Sequence, residues 1–289
     1  MAVSPRTQDR TVLSKYLMVL DAFDMDAAFL NLSQIAARTG LPVSTVHRLL
    51  GILEGQKLVE RMPDRTYRLG IRLWELASRT PGALGLREIA MPFMQLVHNT
   101  VRQHVQLGVM SDFDVLFLER LSARGAVVNA TLIGGRIPLP ASSTGQVLLA
   151  EMDDGFVQQV VAAGVPPLTN RTPVTGPELT AALEQVRHQG YAVGDGLVHP
   201  DARGVGVPIR GHDGAVVAGL GVVVPNDDQL VTPTVELLKR AARGISGALR
   251  ASYLPPGHPG ALPGARYRAL VNSSDRSMEY FESLGGLRS

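Results

Sequence analysis

Residues 39–61 read TGLPVSTVHRLLGILEGQKLVER: a glycine and a proline, a short polar patch, then an apolar repeat. Pro42 falls where a first-turn proline is tolerated, because an N–H there has no helical partner to lose. Val46, Leu49, Leu50 and Leu53 recur at i, i+3, i+4 and i+7, which predicts one buried stripe. Ser44, Thr45, His47, Arg48 and Gly51 fall largely on the opposite side. The pattern predicts a helix that is locked to a core along most of its length but offers a polar first turn to a partner.

The flanking segments say what kind of partner. Upstream, LNLSQIAARTG (30–40) predicts a helix of about two turns with Ser33 as N-cap, Ile35 and Ala36 inward and Gly40 as its stop. Two short helices joined by a glycine-containing turn form a helix-turn-helix. Before them, Leu13, Tyr16, Leu17, Leu20 and Phe23 predict a helix from Val12 that ends near 24–26. Downstream, KLVERMPDRTYRLG (57–70) reads as strand, turn and strand, so the whole unit is expected to be a winged helix. Residues 38–72 hold seven basic side chains (Arg38, Arg48, Lys57, Arg61, Arg65, Arg68 and Arg72) against three acids (Glu54, Glu60 and Asp64). The net charge of all 289 residues is only +2, so the positive charge is concentrated in this unit.

A recognition helix enters the major groove by its first turn, which must be short and polar. Ser44, Thr45 and His47 are hydrogen-bonding groups suited to that position, and Arg48 offers a planar fork for guanine edges or phosphates. Ser33 and Gln34 are further candidates, and Arg65 and Arg68 on the wing suit phosphates or the minor groove. An ordinary amphipathic surface helix is the competing reading of residues 41–53 alone, and Arg48 has Glu54 as an alternative partner.

Beyond this unit, IRLWELASRTPGALGLREIAMPFMQLVHNTV (71–101) is helical at both ends and interrupted by Pro81, Gly82 and Gly85, which sets the domain boundary at 78–86. The stretches 104–112, 114–122 and 126–134 read as three adjacent antiparallel strands. Helices are expected over 142–152, 153–164 and 177–190, strands over 202–210 and 215–225, and a closing helix over 232–252. This mixed order predicts an α+β domain over 87–251 and excludes a doubly wound sheet. The organisation is therefore a polar arm (1–11), a winged helix-turn-helix (12–77), a linker (78–86), the α+β domain, and a Pro/Gly-rich linker and tail (252–289) expected to be mobile.

The chain has no cysteine, which excludes thiol catalysis, disulfides and Cys-based zinc sites. No G-x-S-x-G, G-x-x-x-x-G-K-[ST] or H-E-x-x-H motif occurs, and the histidines are scattered, His98 and His104 lying six apart. His199 and Asp201 with Ser142 or Ser143 would make a triad only if folding assembled it, and nothing local supports that. An enzyme is not expected, nor is a metal or cofactor. No signal peptide or run of 18 apolar residues is present, so a soluble cytoplasmic protein is expected.

Several separated motifs carry a family resemblance. LSQIAARTGLPVSTVHRLLGILEGQKLVER, YRLGIRLWELA, GGRIPLPASSTGQVLLA and GYAVGDGLVHPDARGVGVPIRGHDGAVVAGLGVVVP occur in the order found in the IclR family of bacterial transcriptional regulators. The resemblance covers roughly residues 12–250. It implies an N-terminal DNA-binding winged helix, a linker helix that promotes dimerisation, and a C-terminal GAF-like domain that binds a small effector. Members commonly act on operator DNA as homodimers or as tetramers made of paired dimers.

Mapped onto this chain, the family's effector positions are Ser143, Thr144, Gly194 with neighbouring Asp195, Gly204, Gly221 and Val223. Ser142 adds a hydroxyl, and the helix start in ASSTGQ suits a carboxylate. Many members have polar side chains where Gly204, Gly221 and Val223 stand, and an acid at Gly194. The expectation is a roomier, less polar pocket and a larger ligand than glyoxylate, such as an aromatic or hydroxylated organic acid. The same glycines equally suit tight strand packing. Arg203 is expected either to reach a carboxylate or to pair with Asp201, and Arg136 to stabilise its turn. The alternative overall is a winged-helix protein with a structural or interaction role and no ligand response.

Overall fold

The computed structural model describes residues 11–24, 27–77, 83–227 and 229–252. The expected arm, most of the linker stretch and the Pro/Gly-rich tail lie outside the described residues. The chain divides between Thr80 and Pro81 into two units.

The N-terminal unit contains α1 (Val12–Asp21), α2 (Leu32–Thr39), α3 (Val43–Gly55), β1 (Val59–Arg61), β2 (Tyr67–Leu69) and α4 (Arg72–Ala77). Helix α1 stops at Asp21, short of the expected 24–26. The stripe on α3 is buried as its spacing requires: Val46, Leu49, Leu50 and Leu53 are at most 3% exposed and pack with Val19, Ile35 and Tyr67. Each such side chain contributes about 1.5–3 kcal/mol of burial. Helix α2 is capped by Asn31 and not by Ser33. Asn31 Oδ1 accepts from the Gln34 N–H at 2.9 Å, and Gln34 Oε1 accepts from the Asn31 N–H at 2.8 Å, a reciprocal box. Ser33 already lies inside the helix. Gly40 ends it with φ +67°. β1 and β2 pair antiparallel, and Leu30 adds a two-way backbone bridge to Tyr67.

The C-terminal unit is built on a six-stranded antiparallel sheet. Its strands are β3 (His104–Ser111), β4 (Asp114–Leu121), β5 (Arg136–Pro138), β6 (Ala192–Asp195), β7 (Ala202–Arg210) and β8 (Val216–Pro225), in the order β5-β4-β3-β8-β7-β6. Alternation along β3, β7 and β8 sends Val105, Leu107, Val205, Val207, Leu220 and Val222 to one face. There they meet α5 (Ala83–Val101) and α9 (Thr232–Ser252). Gly85 does not interrupt α5. The stripe Leu86, Ala90, Met94 and Val97 is buried, and its burial outweighs the roughly 1 kcal/mol that an interior glycine costs.

The opposite face carries α6 (Ser143–Leu149), α7 (Asp154–Ala163) and α8 (Gly176–Gln189) over a second core around Phe117, Leu149, Leu179 and Leu183. Helix α8 ends at Gly190, its expected stop, which forms a left-handed cap; the box between Thr175 and Glu178 at its start is a feature of the structure. Helix α6 is buried throughout and lies directly on the strands. A Cβ at Gly206 would stand 2.6 Å from the Ser143 carbonyl oxygen, and one at Gly219 would stand 2.7 Å from Thr144 Cγ2.

The stretch 126–134 is not a strand. The outer edge of β4, where a third consecutive strand would pair, is taken at 114–117 by β5 and the Gly134–Gly135 turn. Side chains satisfy its backbone instead: Gln103 Oε1 accepts from the Val127 N–H, His104 Nε2 meets the Val127 carbonyl, and Arg120 reaches the Thr131 carbonyl. The segment is an irregular loop that crosses from β4 to β5.

Replacing Gly206 with alanine is expected to destabilise the protein by about 1–3 kcal/mol, since the new methyl meets backbone that cannot move aside. Gly247, on α9, has nothing within 4 Å of an added Cβ. Alanine there should be neutral or stabilising by up to about 1 kcal/mol. Urea unfolding of the two variants measures the contrast.

Candidate functional site

Two surfaces carry the candidate side chains, one in each unit. On α3, Ser44, His47 and Arg48 are exposed and Thr45 is half-buried. The pairing of Arg48 with Glu54 is not formed, and Arg48 has no hydrogen bond or ion pair among the described residues. Ser33 and Gln34 are exposed at the start of α2, with the Gln34 carbonyl oxygen committed to the cap.

The seven basic groups separate by partner. Arg38 bonds the Asp24 carboxylate at 2.7 Å and the Ala22 carbonyl. Arg72 bonds the Gln56 carbonyl at 2.9 Å, and Arg61 lies 5.9 Å from the Tyr67 ring centroid. Arg68 stands opposite Glu60 in the hairpin and donates to its carboxylate at 2.7 and 2.9 Å. That hydrogen bond holds the Glu60 carboxyl below its ordinary range. Arg48, Lys57 and Arg65 remain uncommitted. Lys57 follows α3 with φ +59°, and Arg65 sits at the wing turn with φ +67°. The turn itself is built by Asp64, whose carboxylate accepts from Thr66 Oγ1 at 2.7 Å and the Thr66 N–H at 3.0 Å. Lys57 counts toward the basic charge of residues 38–72 but carries no helix or wing motif that would single it out.

In the C-terminal unit a small cavity, with about 40 Å³ of room for water-sized groups, lies between the 128–131 loop, the start of α6 and the ends of β6 and β7. Its polar lining is Gln106, Asn129, Thr131, Ser142, Ser143 and His199, and Val128, Ile137, Ala141, Leu197, Val198 and Val223 supply apolar wall. No Lys, Arg, Asp or Glu lines it.

The sequence-predicted residues divide here. Ser142, Ser143, Gly194, Gly204 and Val223 line the cavity, whereas Thr144, Asp195, Arg203 and Gly221 do not. Arg203 is 14% exposed and donates to Asp195 Oδ1 and to the Gln229 carbonyl. The expected pairing with Asp201 is therefore not formed, and Asp195 takes that place. Nor do the glycines add room at the two positions expected to provide it. A Cβ at Gly204 would stand 2.7 Å from Ser143 Oγ, and one at Gly221 would stand 2.5 Å from Thr144 Oγ1. Side chains at the start of α6 occupy that space, so both glycines pack closely against the helix, while Gly204 also lines the cavity. The helix start is likewise occupied by the fold: Ser142 Oγ caps the Gly145 N–H at 2.9 Å, and the Ser143–Thr144 peptide lies against Gly206. Arg136 bonds the Ser111 carbonyl and hydroxyl, as a turn-stabilising group does.

Asn129, Thr131 and Gln106 were missed. The signal was present in VVNAT, where an asparagine two residues before a threonine suits an Asx turn, but the apolar neighbours read as strand. No hydrolytic triad forms. His199 Nδ1 accepts from the Asp201 N–H at 3.3 Å, Asp201 is 82% exposed, and Ser142 is occupied as a cap. Among the described residues there is no group of three or more metal-ligating side chains, and no helix is long and apolar enough to cross a membrane.

Beneath the loop, His104 is 7% exposed. Its Nε2 donates to the Val127 carbonyl at 2.6 Å, and Nδ1 accepts from the Ser122 hydroxyl at 2.9 Å, which defines the neutral tautomer. Burial pushes its pKa below the ordinary 6.5, the Val127 bond opposes this, and Arg120 and His98 add to the lowering.

Comparison with known proteins covers both units. Residues 12–63 match the IclR helix-turn-helix domain and residues 80–247 match the C-terminal domain of bacterial IclR transcriptional regulators. The Pca regulon regulatory protein of Pseudomonas putida is 30% identical over 215 residues, 73% of each chain. The regulator XynR of Escherichia coli is 28% identical over 82% of this chain and 96% of its own. The crystal structure of an IclR homologue from Microbacterium hydrocarbonoxydans, complexed with 4-hydroxybenzoate, is 39% identical. It superposes with a TM-score of 0.79 over 83% of this chain and all of its own.

The depressed His104 pKa gives a signed pH dependence. Between the folded-state value and 6.5 the unfolded chain binds more protons than the folded one, so stability falls as the pH is lowered through that window. The melting temperature is expected to be level above about pH 6.5 as far as this group is concerned and to fall below it. In His104→Gln the fall should be shallower, read by thermal unfolding from pH 7.5 to 5.

Proposed function

The chain belongs to the IclR family of bacterial transcriptional regulators, and on that premise we propose that a hydroxylated aromatic acid held in the cavity governs how α3 and the wing engage the operator. The protein is a DNA-binding, effector-responsive transcriptional regulator and not an enzyme. The observation that supports the ligand class is the cavity's lining: apolar walls, neutral hydrogen-bonding groups and no fixed charge. Such walls suit an aromatic ring with one or two oxygen functions better than a two-carbon acid. The 4-hydroxybenzoate bound by the Microbacterium homologue has that chemistry.

On the DNA side, the polar first turn of α3 is assigned to the major groove, with Ser44, Thr45, His47 and Arg48 reading bases or phosphates. Ser33 and Gln34 at the start of α2 are assigned to the adjacent backbone. Arg65, joined by Lys57, supplies uncommitted wing-side charge, and Arg68 acts through its ion pair with Glu60 as a brace for the hairpin. The protein is taken to work in the cytoplasm as a homodimer or as paired dimers. Support for self-association is the apolar surface near and on α4, where Ile71 is 63% and Trp74 67% exposed.

Arg48→Ala is expected to weaken operator binding by about 1–3 kcal/mol. Arg65→Ala should weaken binding to any DNA and lower the salt slope by about one, whereas Arg68→Ala leaves the slope nearly unchanged. Fluorescence anisotropy across a salt series separates the three. For the effector, a thermal-shift panel should show stabilisation by 4-hydroxybenzoate and related ring acids, reaching about 2.7 kcal/mol at a hundredfold excess over Kd. Stabilisation by two- or three-carbon acids alone would contradict the ligand class. A family of acids that binds without altering operator occupancy would favour the ligand-independent reading.

A further inference from the structure

Resting on the organic-acid reading above, we propose that Asn129 selects the effector's acid group, its side-chain Nδ2 donating to a carboxylate oxygen of the bound acid. Asn129 Nδ2 is buried from solvent and has no hydrogen-bond partner, the sole buried side-chain nitrogen or oxygen in that state among the described residues. A buried donor without a partner costs about 1–3 kcal/mol, and because no water-sized space adjoins Nδ2, a ligand oxygen meets it through a shift of the Asn129 side chain. Asn129 is also part of the cavity wall.

The orientation of the amide is determined by chemistry. Its Oδ1 accepts from the Thr131 backbone N–H at 2.9 Å, and an N–H only donates. Turning the amide over would set two donors against each other. Nδ2 is therefore the end left for the ligand.

The rest of the wall explains why that ligand group should be an anion. Gln106 is committed at both ends, its Oε1 accepting from Thr131 Oγ1 at 2.9 Å and its Nε2 donating to Thr144 Oγ1 at 3.3 Å. Ser142 Oγ has accepted the Gly145 N–H and retains its own O–H with one lone pair. With Nδ1 of His199 accepting from Asp201, that ring carries its proton on Nε2. The capacity left in the lining is thus weighted toward donors, with no competing carboxylate. Several neutral donors around one acceptor oxygen favour the charged form of an acid without a fixed cation.

The test compares the full-length wild type with Asn129→Asp and Asn129→Ser by calorimetric titration of 4-hydroxybenzoate and its neutral amide, 4-hydroxybenzamide. Aspartate and serine both retain an oxygen able to accept the Thr131 N–H; without ligand, Asn129→Ser should melt near wild type, whereas Asn129→Asp buries an unpaired charge and should melt lower. We expect Asn129→Asp to lose at least tenfold in affinity for the acid and to lose far less for the amide. Asn129→Ser should weaken the acid severalfold. The acid-to-amide affinity ratio is independent of how much protein is folded, so it decides the matter even if a variant is less stable. An unchanged ratio in both variants overturns the assignment while leaving the organic-acid reading intact. Failure of the wild type to bind 4-hydroxybenzoate or other ring acids overturns the reading and the assignment together.

Discussion

The contact between the Ser143–Thr144 peptide and the sheet sets the geometry of the effector domain. Gly108, Gly206, Gly219 and Gly221 present no side chains on that face, and Ser143 and Thr144 fill the space where their Cβ atoms would stand. A helix normally packs on a sheet through a layer of side chains, but α6 rests nearly on the strands themselves. Thr144 is completely buried as a result. This close approach brings the start of α6 level with the ends of β6 and β7, and the cavity is the gap left where the helix begins.

Much of the fold was legible because its signals are local and redundant. The α3 stripe and the Gly40 and Gly190 stops each follow from spacing and from one residue of fixed chemistry. Residues 126–134 were not legible, since apolar alternation reports that a segment is half-buried without saying whether a strand edge is available to it. Whether β4 had a free edge depended on β5, which pairs with its start and follows the segment in sequence. The identity of the α2 cap failed for a smaller reason: Asn31 and Ser33 are both good caps, and only the reciprocal reach of Gln34 distinguishes them.

The cavity was half legible. Residues carried over by family motif landed on its floor, but the inference from glycine to empty volume reversed the physics at Gly204 and Gly221. A missing side chain makes room only if no other group moves in, and here α6 does so. In the winged helix, likewise, a count of cations overstated the charge on offer. Arg38, Arg68 and Arg72 hold the unit together through Asp24, Glu60 and Gln56, leaving Arg48, Lys57 and Arg65 without such partners. Composition counts charges, whereas only coordinates show which are already engaged.

The way the loop over the cavity is held has a consequence for how such a protein diversifies. Its main chain is gripped from below by Gln103, His104 and Arg120, which hold the backbone of Val127 and Thr131. The side chains at 128 and 130 take no part in that grip. The floor, by contrast, admits almost no change, because each of its glycines faces a neighbour at contact distance. Duplicated copies of this gene could therefore acquire new ligand preferences through substitutions in the roof alone, while the floor keeps the domain foldable.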